Sequence, residues 1–221
     1  MPDAAAMRRA LATRLRLEQL GGLAWLPVGA PAATTVSSLD SWAREASNCR
    51  ACSLCEGRRT VVFGEGNPRA ALLFIGEGPG MEEDLQGRPF VGLAGQLLTK
   101  IIQALGLTRD QVYIANMVKC RPPQNRVPLP EELAACRRFL DAQIALIQPH
   151  VICALGRTAA NALLNSEAPL GALRGRDHAL GSIPVVVTYH PAHLLRHPEA
   201  KREAWADVQR LLPYLPGATV R

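Results

Sequence analysis

The residues with the most chemistry to offer are cysteines. Six occur in the chain, spaced as Cys49-x-x-Cys52-x-x-Cys55, then Cys120, Cys136 and Cys153. Cys153 lies within Val151-Ile152-Cys153-Ala154-Leu155, an apolar run that reads as a buried strand, where a thiol serves as a small core residue. The remaining five are candidates for four ligand positions. Thiolates drawn from two distant segments make a closed site for zinc or for an iron-sulfur cluster, and spacing alone does not choose between them. Disulfides are disfavoured in a chain that shows no secretory signal.

A second set of reactive side chains follows an apolar run. Leu72 to Ile75 end abruptly in Gly76-Glu77-Gly78-Pro79-Gly80, and the acids Glu82, Glu83 and Asp84 come next. Glycines there let the backbone approach a ligand where a Cβ would clash. The carboxylates of Glu77, Glu83 and Asp84 could orient or activate a water, although acids in a first helical turn also answer the helix dipole. Phe90, after Pro89, could stack on a planar ring or simply fill the core. Asn116 carries a donor and an acceptor that suit a nucleobase edge, or it satisfies backbone at a strand end. His190 precedes Pro191, which keeps the histidine backbone extended, and its imidazole could donate to a developing negative charge. Leu194 and Leu195, beside Arg196, either insert into a partner or face the core. Arg121 and Arg126 flank a Pro-rich turn and could meet phosphates.

The elements that must position these residues alternate. Strand-like runs cover Ala71 to Ile75, Gln111 to Val118, Val151 to Leu155 and Pro184 to Thr188. Between them, Ala94 to Leu105, Pro130 to Ile147 and Arg157 to Leu164 show helical spacing, and a last helix spans Pro198 to Leu212. Alternation of this kind predicts right-handed crossovers and a four-stranded, mainly parallel sheet in a three-layer α/β/α fold. The segments after the four strands then share one rim, which brings Glu77, Phe90, Asn116, His190 and the arginines together. Toward the N-terminus, residues 1–22 read as a helix stopped by Gly21-Gly22, and residues 23–37 as a Pro- and Ala-rich link. A short helix from Leu39 to Ala46, capped by Ser37 or Ser38, delivers the chain to the cysteines. Residues 1–36 are therefore expected to be an extension and 37–221 the functional domain.

At 221 residues the chain is long enough to bury a full core. No apolar run reaches membrane-spanning length, so a cytoplasmic protein is expected, and no feature asks for an oligomer. The net charge of +6 is compatible with a nucleic-acid backbone as partner and does not by itself establish one.

Taken together, four motifs closely resemble the family 4 uracil-DNA glycosylases, the thermostable iron-sulfur type. They are Val62-Phe63-Gly64-Glu65-Gly66-Asn67-Pro68; Gly76-Glu77-Gly78-Pro79-Gly80 through Gly87-Arg88-Pro89-Phe90-Val91-Gly92; Lys119-Cys120-Arg121-Pro122-Pro123; and His190-Pro191-Ala192-His193-Leu194-Leu195-Arg196. The resemblance runs from about Asn48 to Leu212. It implies a uracil-DNA glycosylase-like fold, uracil-containing DNA as substrate, and a structural [4Fe-4S] cluster on Cys49, Cys52, Cys120 and Cys136, with Cys55 left as a spare thiol. It further implies that Phe90 stacks on uracil, that Asn116 reads its Watson-Crick edge, and that His190 donates to its O2. Gly76, Glu77 and Gly78 would line the pocket, with Glu77 the first choice of general base and Glu83 the reserve. Arg121, Arg126 and Arg196 would meet DNA, and Leu194 or Leu195 would fill the gap left by a flipped nucleotide. No lysine stands where a lyase step would need one.

Two other classes compete. One is a module that binds uracil in DNA without turnover, through a histidine on a basic insert; Arg174-Gly175-Arg176-Asp177-His178 has that composition but lies too far along the chain. The other is a zinc-stapled protein acting on RNA or free nucleotides, which iron content and colour would separate at once.

Overall fold

A computed structural model describes residues 38–215. The expected N-terminal helix and link, and with them the extension at residues 1–36, lie outside the described residues. The first described element is α1 (Leu39–Ser47), opened by Ser38, whose hydroxyl accepts from the Ser41 N–H. A four-residue turn of helix, α2 (Leu54–Gly57), follows the cysteine run.

Six strands form one mixed sheet in the order β1-β3-β2-β4-β6-β5. They are β1 (Glu65–Gly66), β2 (Leu72–Gly76), β3 (Tyr113–Asn116), β4 (Val151–Leu155), β5 (His178–Leu180) and β6 (Ile183–Thr188). The central four are parallel, matching the four strands expected from the alternating pattern. The expectation of a four-stranded sheet needs correction at its edges, where β1 and β5 add antiparallel pairs. Two residues including a glycine, and a three-residue strand only partly buried, are too short to show an apolar alternation.

Both faces of the sheet are covered, which is why its strands read as continuous apolar runs. Leu73 and Ile75 of β2 pack with Leu140, Ile144 and Ile147 of α5 (Pro130–Ile147) and with Ala159, Ala160 and Leu163 of α6 (Arg157–Leu164). Leu72 and Phe74 point the other way, onto Leu98 and Ile102 of α4 (Leu93–Ala104) and Val208 of α9 (Lys201–Gln209). Cys153 is fully buried in that second layer, as a core residue. A third apolar cluster joins Ala46, Leu54, Phe63, Val118 and Phe139 around Cys120 and Cys136, with Trp42 edge-on to Phe139 at 6.0 Å.

The chain leaves β2 toward β3 on one side and later sets β4 on the other. That reversal opens a crevice at the carboxyl ends of β2 and β4, where open α/β sheets hold ligands. Two further helices border it: α3 (Met81–Gln86), directly after the glycine turn, and α8 (Pro191–Arg196), directly after β6. A short α7 (Leu170–Leu173) completes the set.

Candidate functional site

A cavity of about 510 Å³ occupies this crevice, lined by Glu77, Gly78, Phe90, Asn116, Thr158 and His190 among others. The four segments that follow the parallel strands all contribute to it.

Asn116 ends β3 directly opposite Gly76 in register. It is 1% exposed, and its Oδ1 is buried without a hydrogen-bond partner in the protein. Such an orphan is costly unless a ligand satisfies it. A Cβ on Gly76 would stand 2.5 Å from both that oxygen and the Phe90 ring, so only glycine lets these side chains meet.

Phe90 is buried in the α4-facing core, as the packing reading expects, and it also lines the cavity. Its φ is +52°, a left-handed conformation that costs a non-glycine residue about 1–2 kcal/mol. The ring lies 5.5 Å from that of His190.

His190 is the N-cap of α8. Its Nδ1 accepts from the Ala192 N–H at 3.1 Å, so in the neutral ring the proton sits on Nε2. Burial, with a smaller contribution from the Arg196 charge, pushes its pKa down to about 4. The imidazole is therefore a neutral N–H donor at ordinary pH.

The carboxylates divide by role. Glu77 is half-buried, and the Thr158 hydroxyl donates to its Oε2 at 2.5 Å. Glu83 instead accepts from the backbone N–H groups of Gly80, Val91 and Gly92 at 2.8–3.1 Å, which ties α3 to the Phe90 turn. Asp84 is buried and accepts from the Arg59 and Thr60 N–H groups. Backbone donors thus occupy the carboxylates of Glu83 and Asp84, whereas Glu77 is held by a side chain; Glu77 and Glu83 both line the cavity.

The arginines and leucines divide as well. Arg196 and Arg157 are exposed on the rim, and Arg121 is half-buried beside it. Arg126 also lines the cavity, but its guanidinium forks onto Glu132 at 2.7 and 2.8 Å. Glu132 is 1% exposed, and that hydrogen bond holds its carboxyl down at about 2. Leu194 is 2% exposed and packs on Ala200 and Ala204, whereas Leu195 is 42% exposed. Adjacent residues of a helix point about 100° apart, so Leu194 faces the core while Leu195 faces solvent. His178, in the basic stretch considered for a covalent trap, lies on edge strand β5, bonded to the Leu173 carbonyl and absent from the lining.

The cysteines meet at a second, small cavity of about 10 Å³, lined by Cys49, Cys52, Cys55, Cys120 and Cys136. Donors already point at their sulfurs. The Lys119 N–H reaches Cys136 at 3.3 Å, Arg58 reaches Cys120 at 3.2 Å, and Arg138 reaches Cys49 at 3.7 Å. Among the described residues no three His, Cys, Asp or Glu side chains converge on one point to hold a single ion. A cluster does not ask for that, since each thiolate takes its own iron. The donor set, with cationic and N–H partners for anionic sulfur, fits an iron-sulfur cluster.

Three residues beside the site carry no role in the sequence reading. Thr158 is hydrogen-bonded to Glu77. Lys119, 1% exposed, donates from its ammonium to the Asn116 carbonyl at 2.9 Å and to Gln143 at 2.6 Å, joining the cysteine centre to the end of β3. Arg109 donates to the Pro89 and Phe90 carbonyls. Only the strand-end position of the residues they serve could have pointed to them.

Comparison with known proteins agrees with this geometry. The uracil DNA glycosylase superfamily model matches residues 63–209. The type-4 uracil-DNA glycosylase of Thermotoga maritima is 47% identical over 171 residues, covering 76% of this chain and 89% of the relative. That of Archaeoglobus fulgidus is 40% identical over 184 residues, covering 80% and 92%. A type-5 uracil-DNA glycosylase of Thermus thermophilus is 37% identical over 118 residues, only 47% of this chain and 53% of the relative. By the match of the superfamily over its core, and of the type-4 proteins over most of both chains, this protein belongs to the type-4 branch of the uracil-DNA glycosylase superfamily.

Proposed function

We propose that the chain excises uracil from DNA by hydrolysing the N-glycosidic bond, releasing free uracil and an abasic site with no lyase step, and so starts base excision repair. The observation that carries the pocket assignment is the orphaned, buried Asn116 oxygen facing a cavity walled by Phe90 and by the neutral His190. A uracil stacked on Phe90 offers N3–H to Asn116 Oδ1 and O4 to its amide N–H, while His190 Nε2–H meets O2. Cytosine presents the reversed pattern at that edge, and the wall around Glu77 excludes the thymine methyl.

As the C1′–N1 bond breaks, its electron pair leaves on the base, where Asn116 and His190 stabilise the charge. Water adds its oxygen to the electron-poor C1′, and Glu77, aimed by Thr158, takes the water proton. Glu83 is not the base in this reading, because its carboxylate is spent on backbone N–H groups. Arg121, Arg157 and Arg196 hold phosphates, and Leu195 fills the gap left by the flipped nucleotide. Arg126 acts indirectly by fixing the loop through Glu132.

Cys49, Cys52, Cys120 and Cys136 would hold a [4Fe-4S] cluster whose contribution is to staple the N-terminal segment onto α5 and the Arg121 loop. Free thiols in this number suit a reducing cytoplasm. We assign the activity to residues 37–221 acting as a monomer, with 1–36 an extension. Among the described residues no helix is long and apolar enough to cross a membrane.

The test is a labelled duplex carrying one deoxyuridine, treated with protein and then alkali. Strand breakage is expected at uracil, none with thymine or cytosine in its place, and about 10²-fold or greater loss for Asn116→Ala. Intact DNA after treatment with folded, brown protein would overturn the reading.

A further inference from the structure

Phe90 does not hold its own conformation. Its backbone is left-handed, and the first turn of α4 crowds it so closely that a Cβ on Gly95 would lie 1.9 Å from its carbonyl oxygen. A strained non-glycine residue persists only where its surroundings over-determine it. Two groups do so here. Glu83 accepts from the N–H groups of Val91 and Gly92, and Arg109 donates from Nη2 to the Pro89 carbonyl at 2.8 Å and from Nη1 to the Phe90 carbonyl at 3.0 Å. Four consecutive residues are thus gripped through their main chain.

Arg109 is in turn held in place. Its Nη1 also reaches Thr99 Oγ1 at 3.3 Å, and that hydroxyl donates to the Gly95 carbonyl, closing a ring of contacts beneath the Phe90 turn. Glu65 stands 3.6 Å from its other nitrogen and is itself forked by Arg88. Arg109 does not line the cavity. A guanidinium can fork two adjacent carbonyls at once, whereas an ammonium can hold them only as a point donor.

We propose that Arg109 is a positioning residue for base excision: its fork over the Pro89 and Phe90 carbonyls holds the Phe90 ring at the stacking wall of the pocket. The inference rests on the reading of Phe90 as the platform for uracil. Removing the fork lets the turn relax toward an unstrained conformation, which moves the ring; misplacement by about 1 Å is enough to lower rates by up to about 10²-fold.

The experiment is a double-mutant cycle on single-turnover excision from a uracil-containing oligonucleotide, with thermal midpoints recorded for every variant. Arg109→Gln is expected to lower the rate about tenfold or more, and Arg109→Lys by less. In a Phe90→Ala background, Arg109→Gln should cost less than about twofold, because the ring it serves is gone. Equal losses in both backgrounds would mean a general structural role and overturn the proposal, as would an unchanged rate for folded Arg109→Gln. If Arg109→Gln fails to fold, the same cycle run with Arg109→Lys decides between these outcomes. A Phe90→Ala protein as active as the parent would instead remove the stacking role itself, a failure distinct from that of Arg109.

Discussion

A histidine that donates to a leaving group ordinarily changes its own charge near pH 6.5, within the range where such an enzyme works. Here the Ala192 N–H occupies Nδ1, and burial beside the Arg196 charge pulls the pKa to about 4. Between those values the unfolded chain binds a proton that the native ring refuses. His190 therefore contributes stability that is fully present above pH 6.5 and is lost as pH falls through 4. Urea unfolding at pH 7 and pH 5 should show a smaller difference for His190→Asn than for the parent protein. The chemical step carries the matching expectation: its pH profile has no inflection near 6.5, and one that vanishes in His190→Asn would sink the neutral-donor assignment. This residue, Asn116, Phe90 and Glu77 were all legible in sequence because each follows an apolar run or a glycine turn. Arg109 was not: Thr108-Arg109-Asp110 looks like any polar turn, and its partners are main-chain carbonyls, which sequence does not single out.

At the scale of elements, the parallel strands and α5 were legible because buried strands read as unbroken apolar runs and Pro130 opens a clean helical period. The short α8 was not, since six residues carry too little periodicity, and with it went the opposite fates of Leu194 and Leu195. The segment from Arg121 to α5 shows what sequence hides at a junction. Four contacts converge on the buried Glu132 carboxylate: the two Arg126 nitrogens, the Leu129 N–H and the Ser53 hydroxyl. Arginine at the end of a Pro-rich turn looks like a phosphate contact, and sequence does not reveal that this one forks onto a buried carboxylate. Glu132→Gln leaves the arginine without its counter-charge and should lower stability by about 2–3 kcal/mol, the exposure of Arg126 keeping the loss below that of a fully buried pair. The readouts are urea unfolding and the salt dependence of DNA binding. A change in salt slope like that of Arg196→Gln, with stability intact, would return Arg126 to the phosphate-binding set.

For the molecule as a whole, the cysteine centre lies where the N-terminal segment meets α5 and the loop after β3. Apart from Leu39, which also packs on the first sheet-facing core, α1 and α2 rest on α5 through the third apolar cluster, in which cysteine side chains take the place of larger hydrophobes. Lys119 extends that junction to the pocket, with its N–H on Cys136 and its ammonium on the Asn116 carbonyl. A cluster in this position would thus brace the turn that carries Asn116, a structural role for a centre that the proposed hydrolysis itself does not need. Five thiols line the cavity, however, and the C-x-x-C spacing occurs twice, as Cys49/Cys52 and Cys52/Cys55. Donors reach the sulfurs of Cys49, Cys120 and Cys136, and none of the hydrogen bonds among the described residues reaches that of Cys52 or Cys55, so the choice between these two falls to experiment. With Cys49, Cys52, Cys120 and Cys136 as the proposed ligands, Cys55→Ser should purify brown, with about four irons per chain and an unchanged excision rate. Cys136→Ser should lose iron, thermal stability and excision together, because its sulfur sits under the Lys119 link. A colourless Cys55→Ser protein would move Cys55 into the ligand set and release Cys49 or Cys52, and a colourless parent holding zinc would replace the cluster altogether.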